Sequence, residues 1–283
     1  MSGSRPSQLL QREREYAEDP RPAKQARREE GQMEVSQGPH KAGMPSSTPR
    51  SFPDADEYIN SPIKALTNPS MLEVVNELGF HQVRCPSGVI SEFHLDSLII
   101  AVDGACPGNG SPKATRSGGG IYFGDGMPTN TTCCDYKSNL AFSVPDHPKY
   151  PHTSQRAELH AAIGALIKAR FYVKHGRQYR CGDKCAKPCA VKHIVLKTDS
   201  AYLVDGITRH IQSWRYNGWR KSNGKEVRNR WLWAWLEGLV EEYKAEGVGV
   251  DFWKVPRELN READKLANIG LGMGLTRTMK GFK

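Results

Sequence analysis

Two short apolar runs that each end in an aspartate constrain this chain most. Ile99-Ile100-Ala101-Val102 leads into Asp103, and the run from Ile194 to Thr198 leads into Asp199. Both read as buried strands. Between them a long helical stretch opens at Thr153 or Ser154 as cap and carries Leu159, Ile163 and Leu166 at helical spacing. Strands are also expected from Gly118 to Phe123 and from Leu140 to Val144. A shorter helix follows from about Ser200 to Ser213, then a helix with Leu232, Leu236, Leu239 and Tyr243 on one face. The strand Val250 to Val255 and a helix from about Arg261 to Ile269 complete the pattern. Three leading strands joined as a meander, then helices alternating with strands, predict an α/β fold: a five-stranded mixed sheet flanked by helices.

This pattern occupies residues 97–272 of 283, with an insertion at about 175–192. Residues 1–55 are rich in Ser, Pro, Gly, Gln and charge and almost free of large apolar side chains, so a disordered tail is expected. Arg21, Lys24, Arg27 and Arg28 form a short basic cluster there, readable as an import signal or as part of a solvated tail. Residues 56–96 are expected to be a linker with one short amphipathic helix. Its signals are Asn68-Pro69 at the start, Leu72, Val75 and Leu78 on one face, and Gly79 at the end. Residues 273–283 form a basic C-terminal tail.

With 38% apolar and 25% charged residues and no apolar run of membrane-crossing length, no membrane association is expected. The formal charge of +9 favours polyanionic partners without choosing among them. Neither an apolar signal core nor an acid-poor leader opens the chain. An intracellular protein, nuclear or cytoplasmic rather than mitochondrial, is therefore expected, with its seven cysteines reduced. A monomer is expected, and protein partners cannot be read from the sequence.

Asp103 and Asp199 end neighbouring strands at the edge where open α/β sheets bind ligands. Glu158 stands in the first turns of the long helix and Asp264 in the first turn of the last, each with apolar neighbours that turn it toward the sheet. Four such acids repel one another, and hard oxygen donors without Cys or His suit Mg²⁺ or Mn²⁺. Two ions there can activate water and stabilise the leaving oxygen of an in-line displacement at phosphorus. Strand-end aspartates are as often ordinary turn and cap residues, so spacing alone leaves both readings open.

The motifs themselves go further. Val102-Asp103-Gly104-Ala105-Cys106 with Asn109, Thr153-Ser154-Gln155-Arg156-Ala157-Glu158-Leu159-His160-Ala161-Ala162, and Thr198-Asp199-Ser200 with Gly206-Ile207-Thr208 resemble, in order, the motifs of ribonuclease H type 1. Trp214 through Asn217-Gly218-Trp219, Gly224-Lys225-Glu226-Val227 with Asn229, and Asn260 through Glu262-Ala263-Asp264 continue the resemblance. It implies a ribonuclease H-like fold and hydrolysis of the RNA strand of an RNA/DNA hybrid duplex, leaving 5′-phosphate and 3′-hydroxyl ends. Asp103, Glu158, Asp199 and Asp264 are then the catalytic ligands of two Mg²⁺ or Mn²⁺ ions. Cys106, Asn109, Ser154 and Gln155 match positions that touch the RNA strand, where 2′-hydroxyls distinguish it. Thr153 and Asn229 match a pocket for a DNA-strand phosphate, and Tyr202 an aromatic of the DNA channel. Trp214, Trp219, Arg220 and Lys221 match a basic protrusion, although both tryptophans can equally be core residues.

Three departures from that pattern matter. Pro151 stands where the eukaryotic pattern has a basic residue beside Thr153, and His210 where it has Trp. Val255-Pro256-Arg257-Glu258-Leu259-Asn260 is shorter than the usual loop before the last aspartate and lacks its His, which implies slower turnover. The insertion carries Cys181, Cys185 and Cys189, with His193 at its end. These could hold a structural Zn²⁺, or the cysteines could be free thiols or form a local disulfide. No hybrid-binding module is recognisable ahead of the domain, so low processivity is expected. The rival reading is a catalytically weak or inactive hybrid-binding protein.

Overall fold

The computed structural model describes residues 50–51, 73–75, 79–83, 97–125, 129–130, 139–175 and 191–272. Five strands form the body of the sheet: β4 (Ser97–Ala105), β5 (Gly118–Tyr122), β7 (Asn139–Ser143), β8 (His193–Thr198) and β9 (Gly249–Lys254). Their order across the sheet is β9-β8-β4-β5-β7. β4, β5 and β7 pair antiparallel as a meander, while β8 and β9 join parallel to β4. This is the expected mixed sheet. Two-residue strands, β1 (Arg50–Ser51) beside β9 and β6 (Thr129–Asn130) beside β7, extend it to seven among the described residues. β1 lies within the stretch expected to be wholly disordered, so for those two residues that expectation is corrected. A strand that short carries no periodic signal.

The long helix α1 (Ser154–His175) is buried nearly all round, through Ala157, Leu159, Ala161, Ala162, Ile163, Ala165, Leu166 and Tyr172. One side packs on β4 and the other on α4 (Arg230–Ala245), which explains an apolar surface wider than a single stripe. Between β8 and α4 the chain runs through α2 (Ala201–Asp205), a π-helical turn at Gly206–His210 and α3 (Ile211–Tyr216). α5 (Arg261–Leu271) covers the opposite face of the sheet over Ala101, Tyr122 and Ala141.

The helix expected around residues 68–79 is not formed by the residues described there. Glu73–Val75 is strand β2, paired antiparallel with β3 (His81–Val83). Gly79, at φ 80°, serves the reversal between the strands rather than a helix end. The hairpin is held by long-range contacts. Glu73 accepts hydrogen bonds at 2.7 Å from the buried Lys197 of β8, His81 Nδ1 is 2.5 Å from the same carboxylate, and Ser97 Oγ accepts from Val83 N at 2.9 Å.

Candidate nucleic-acid cleavage site

The register of β4 and β8 aligns the two strand-end aspartates. Ala101 pairs with Lys197, and each strand reaches its aspartate two residues further on. Side chains alternate along a strand, so Asp103 shares the face of Ile99 and Ala101, the face that α5 covers. Gly104 lets α1 approach from the other side: a Cβ there would lie 2.3 Å from Glu158 N and 2.5 Å from Ala157 C. Gly120 does the same for α5, where a Cβ would meet Ala263 O at 2.2 Å. The absence of side chains at these points brings Glu158 and Asp264 up to the sheet end. All four acids line one open cleft of about 360 Å³, together with Cys106, Ser154, Ser200, Arg257 and Asn268.

Three of the four carboxylates have a side-chain support. Ser200 caps α2, accepting from Leu203 N at 3.1 Å, and its hydroxyl donates to Glu158 Oε2. The buried Asn260 donates through Nδ2 to Val102 O at 3.0 Å and to Asp199 Oδ1 at 3.3 Å, tying the α5 entrance to both aspartate-bearing strands. Asp264 accepts from Arg257 Nη2 at 2.8 Å and from Asn268 Nδ2 at 3.3 Å. Arg257, Ser200 and Asn268 were not singled out as site residues. Ser200 lay in plain sight in Thr198-Asp199-Ser200, whereas Arg257 is brought in by the 3₁₀ turn Arg257–Leu259, which leaves no periodic signal.

Burial dominates the electrostatics. It pushes the Asp103 carboxyl up to about 7, with further upward contributions from Asp199 and Asp264 and a downward one from Arg257. Glu158 is likewise pushed up to about 7 by burial, with the Ser200 hydrogen bond opposing and Asp103 and Asp199 adding to the rise. Carboxyls that resist ionisation only because they are buried beside one another fit a divalent cation, and an all-oxygen donor set fits Mg²⁺ or Mn²⁺. Among the described residues no three His, Cys, Asp or Glu side chains already form a group able to hold a metal ion. The four acids share one cleft.

The residues expected to meet nucleic acid surround this cleft unevenly. Cys106 and Ser154 line it, and Asn109 Oδ1 accepts from Ser154 N at 3.1 Å, joining the β4 turn to the start of α1. Gln155 is half-buried in the first turn of α1. Thr153 caps α1, its hydroxyl accepting from Arg156 N at 3.1 Å. Arg156 is buried and donates to the Tyr150 and Pro145 carbonyls, so it does not replace the basic residue missing at Pro151. Asn229, in the left-handed region at φ 58°, and Trp233 both point donors at the Tyr202 hydroxyl.

The aromatic and basic stretch begins in the last turn of α3 and continues as a loop, closed by a backbone β-bridge between Arg220 and Glu226 and by Val227 N donating to Trp219 O. Trp219 is only 9% exposed, with the Arg230 guanidinium 5.5 Å from its ring centre, and Trp214 is half-buried against Trp233. For Trp219 the core alternative holds. Arg220 and Lys221 are exposed, as is Tyr216, an aromatic at 90% exposure that was not among the expected contacts. His210 lies 5.5 Å from Trp214, ring to ring. Cys181, Cys185 and Cys189 lie outside the described residues, and His193 Nε2 is 2.9 Å from Asp251 Oδ2.

The comparisons with known proteins agree with this geometry. The family model for RNase H matches residues 96–271. Ribonuclease H1 of Mus musculus is 32% identical over 193 residues, covering 65% of this chain and 55% of its own length. Ribonuclease H1 of Homo sapiens is 32% identical over 179 residues, covering 62% and 50%. Ribonuclease H of Crithidia fasciculata is 26% identical over 202 residues, covering 68% and 37%. The chain thus spans about half the length of the first two relatives, or less of the third.

Proposed function

The chain belongs to the RNase H family, and from that premise we propose that it is an endoribonuclease that hydrolyses the RNA strand of RNA/DNA hybrids. The observation that carries this reading is the meeting of Asp103, Glu158, Asp199 and Asp264, from two strands and two helices, in one cleft. All four come from a single chain, so the site is complete in a monomer.

Asp103, Glu158, Asp199 and Asp264 are the residues that would hold two Mg²⁺ or Mn²⁺ ions. When bound, such ions supply Lewis acidity for an in-line attack of water that leaves a 5′-phosphate and a 3′-hydroxyl. The chain's own contribution is placement. Ser200 orients Glu158, and Asn260 orients Asp199. The Cys106 and Ser154 edge of the cleft meets the RNA strand, with Asn109 and Gln155 beside it, where minor-groove polar groups sense 2′-hydroxyls. Thr153, Tyr202 and Asn229 line the path of the DNA strand. Arg220 and Lys221, with Trp214 behind them, neutralise phosphates further along the duplex.

The test is incubation of the full chain with a hybrid labelled on its RNA, beside a DNA duplex of the same sequence, with Mg²⁺ or with chelator. Metal-dependent internal cuts in the RNA that leave ligatable 5′-phosphates, with the DNA duplex intact, are expected. Binding of the hybrid without cleavage would instead support the inactive-binder reading, which the His-free loop from Val255 to Asn260 favours.

A further inference from the structure

Arg257 is the one cation among the described residues that line the acidic cleft. Its guanidinium donates to Asp264 Oδ1 at 2.8 Å, and its charge also reaches Asp199 and Asp103. The backbone beneath it is well anchored. Val255 N donates to Thr198 O, Asn260 N donates to Arg257 O, and Leu259 packs against the apolar cluster of Val83, Ile99, Val195, Trp253 and Val255. The side chain itself is 77% exposed and has the length to leave Asp264 without moving the turn. An anchored turn thus presents an exposed cation to an oxygen that a divalent ion would also need.

We propose that Arg257 is a built-in counterion that occupies Asp264 in the metal-free protein and competes with a divalent ion for that carboxylate. This rests on the reading of the four acids as metal ligands. One guanidinium offsets one of four negative charges, at the acid whose side chain is 30% exposed, and so lowers the repulsion that would otherwise splay α5 from the sheet end. A divalent ion held by Asp264 would compete with the Arg257 guanidinium for the same carboxylate and would weaken that hydrogen bond. The released guanidinium then stands at the mouth of the cleft, suited to an anionic phosphate.

The consequence is that removing Arg257 tightens metal binding, opposite to the effect of removing a ligand. Mn²⁺ binding to the full chain, without nucleic acid, is measured by the loss of the free-ion electron paramagnetic resonance signal. Arg257→Gln is expected to bind Mn²⁺ about two- to fivefold more tightly than the unmodified chain, the range of an exposed ion pair. Lys265→Gln, which removes the same charge from the residue next to Asp264 in sequence, where the lysine pairs with Glu262 instead, is expected to change affinity by less. In an Asp264→Asn background the Arg257→Gln gain should vanish. Equal or weaker binding by Arg257→Gln, or an equal gain from Lys265→Gln, would overturn the counterion. If no Mn²⁺ binding is lost on Asp103→Asn, the metal-ligand reading fails and the counterion with it. Binding that is lost on Asp103→Asn yet unmoved by Arg257→Gln sinks the counterion alone.

Discussion

Replacing Asp103 by Asn should make the metal-free protein more stable at alkaline pH, although it removes a central residue of the site. Burial and the neighbouring acids raise the Asp103 carboxyl from 3.8 to about 7. A group whose folded-state value is raised favours the fold in its protonated form. Its contribution is full below about pH 4, declines as pH rises toward 7, and stays lost above that. At pH 8 the folded state therefore bears the whole cost of a buried carboxylate. At about 1.36 kcal/mol per tenfold change in proton affinity, the upper bound is about 4 kcal/mol. Relaxation and water entry around the charged site of the unmodified chain reduce this to an expected gain of about 1–3 kcal/mol. For a domain of this size that is a rise in melting temperature of about 3–9 °C. The assay is thermal denaturation of chelator-treated protein between pH 5 and 8, with and without Mg²⁺. The gap between variant and unmodified chain should open with rising pH and close when Mg²⁺ is added, because only the unmodified site gains from the ion. A pH-independent gap, or a variant less stable at pH 8 without metal, would refute the picture of four acids held together against their repulsion.

Three further outcomes follow from neighbouring contacts. Ser200→Ala removes the hydroxyl that favours ionised Glu158, so the acidic limb of the pH–rate profile should move alkaline by about one pH unit, the worth of a hydrogen bond of about 1.5 kcal/mol to a charged group. Pro151→Arg supplies the cation that Arg156 cannot. Hybrid binding measured in Ca²⁺ should tighten, and its dependence on log salt should steepen by about one. Gly104→Ala forces a methyl group into the backbone of α1 at Ala157 and Glu158. It should destabilise the protein by about 3 kcal/mol in urea denaturation, and an unchanged midpoint would mean that α1 and β4 have room the structure does not give them.

How much of this was legible beforehand depended on whether the cause was local. Asp103 and Asp199 were readable because the apolar strands ahead of them mark where each strand leaves the core. Glu158 and Asp264 were readable because helical spacing names the inward face. Glu73–Val75, a strand of the hairpin, is read from sequence as part of a helix, because Asn68-Pro69 and Gly79 match helix start and stop signals. What decides it is Glu73 meeting Lys197, 124 residues away, which no window along the chain contains. Trp219 was ambiguous for the opposite reason: its neighbours in sequence are exposed and basic while its ring is buried. Arg257 escaped because its place at the cleft depends on one 3₁₀ turn, and the two-residue strand at Arg50–Ser51 because pairing with β9 needs only backbone.

Asp103→Asn, Glu158→Gln, Asp199→Asn and Asp264→Asn, each assayed for cleavage of an RNA/DNA hybrid in Mg²⁺ and for hybrid binding in Ca²⁺, decide whether the four acids form one catalytic unit. Each variant should lose cleavage by about 10³-fold or more, the scale of several kcal/mol of transition-state stabilisation, while binding stays within a few-fold. Cleavage that survives in two or more variants, or that is unaffected by chelator in the unmodified chain, would contradict the account.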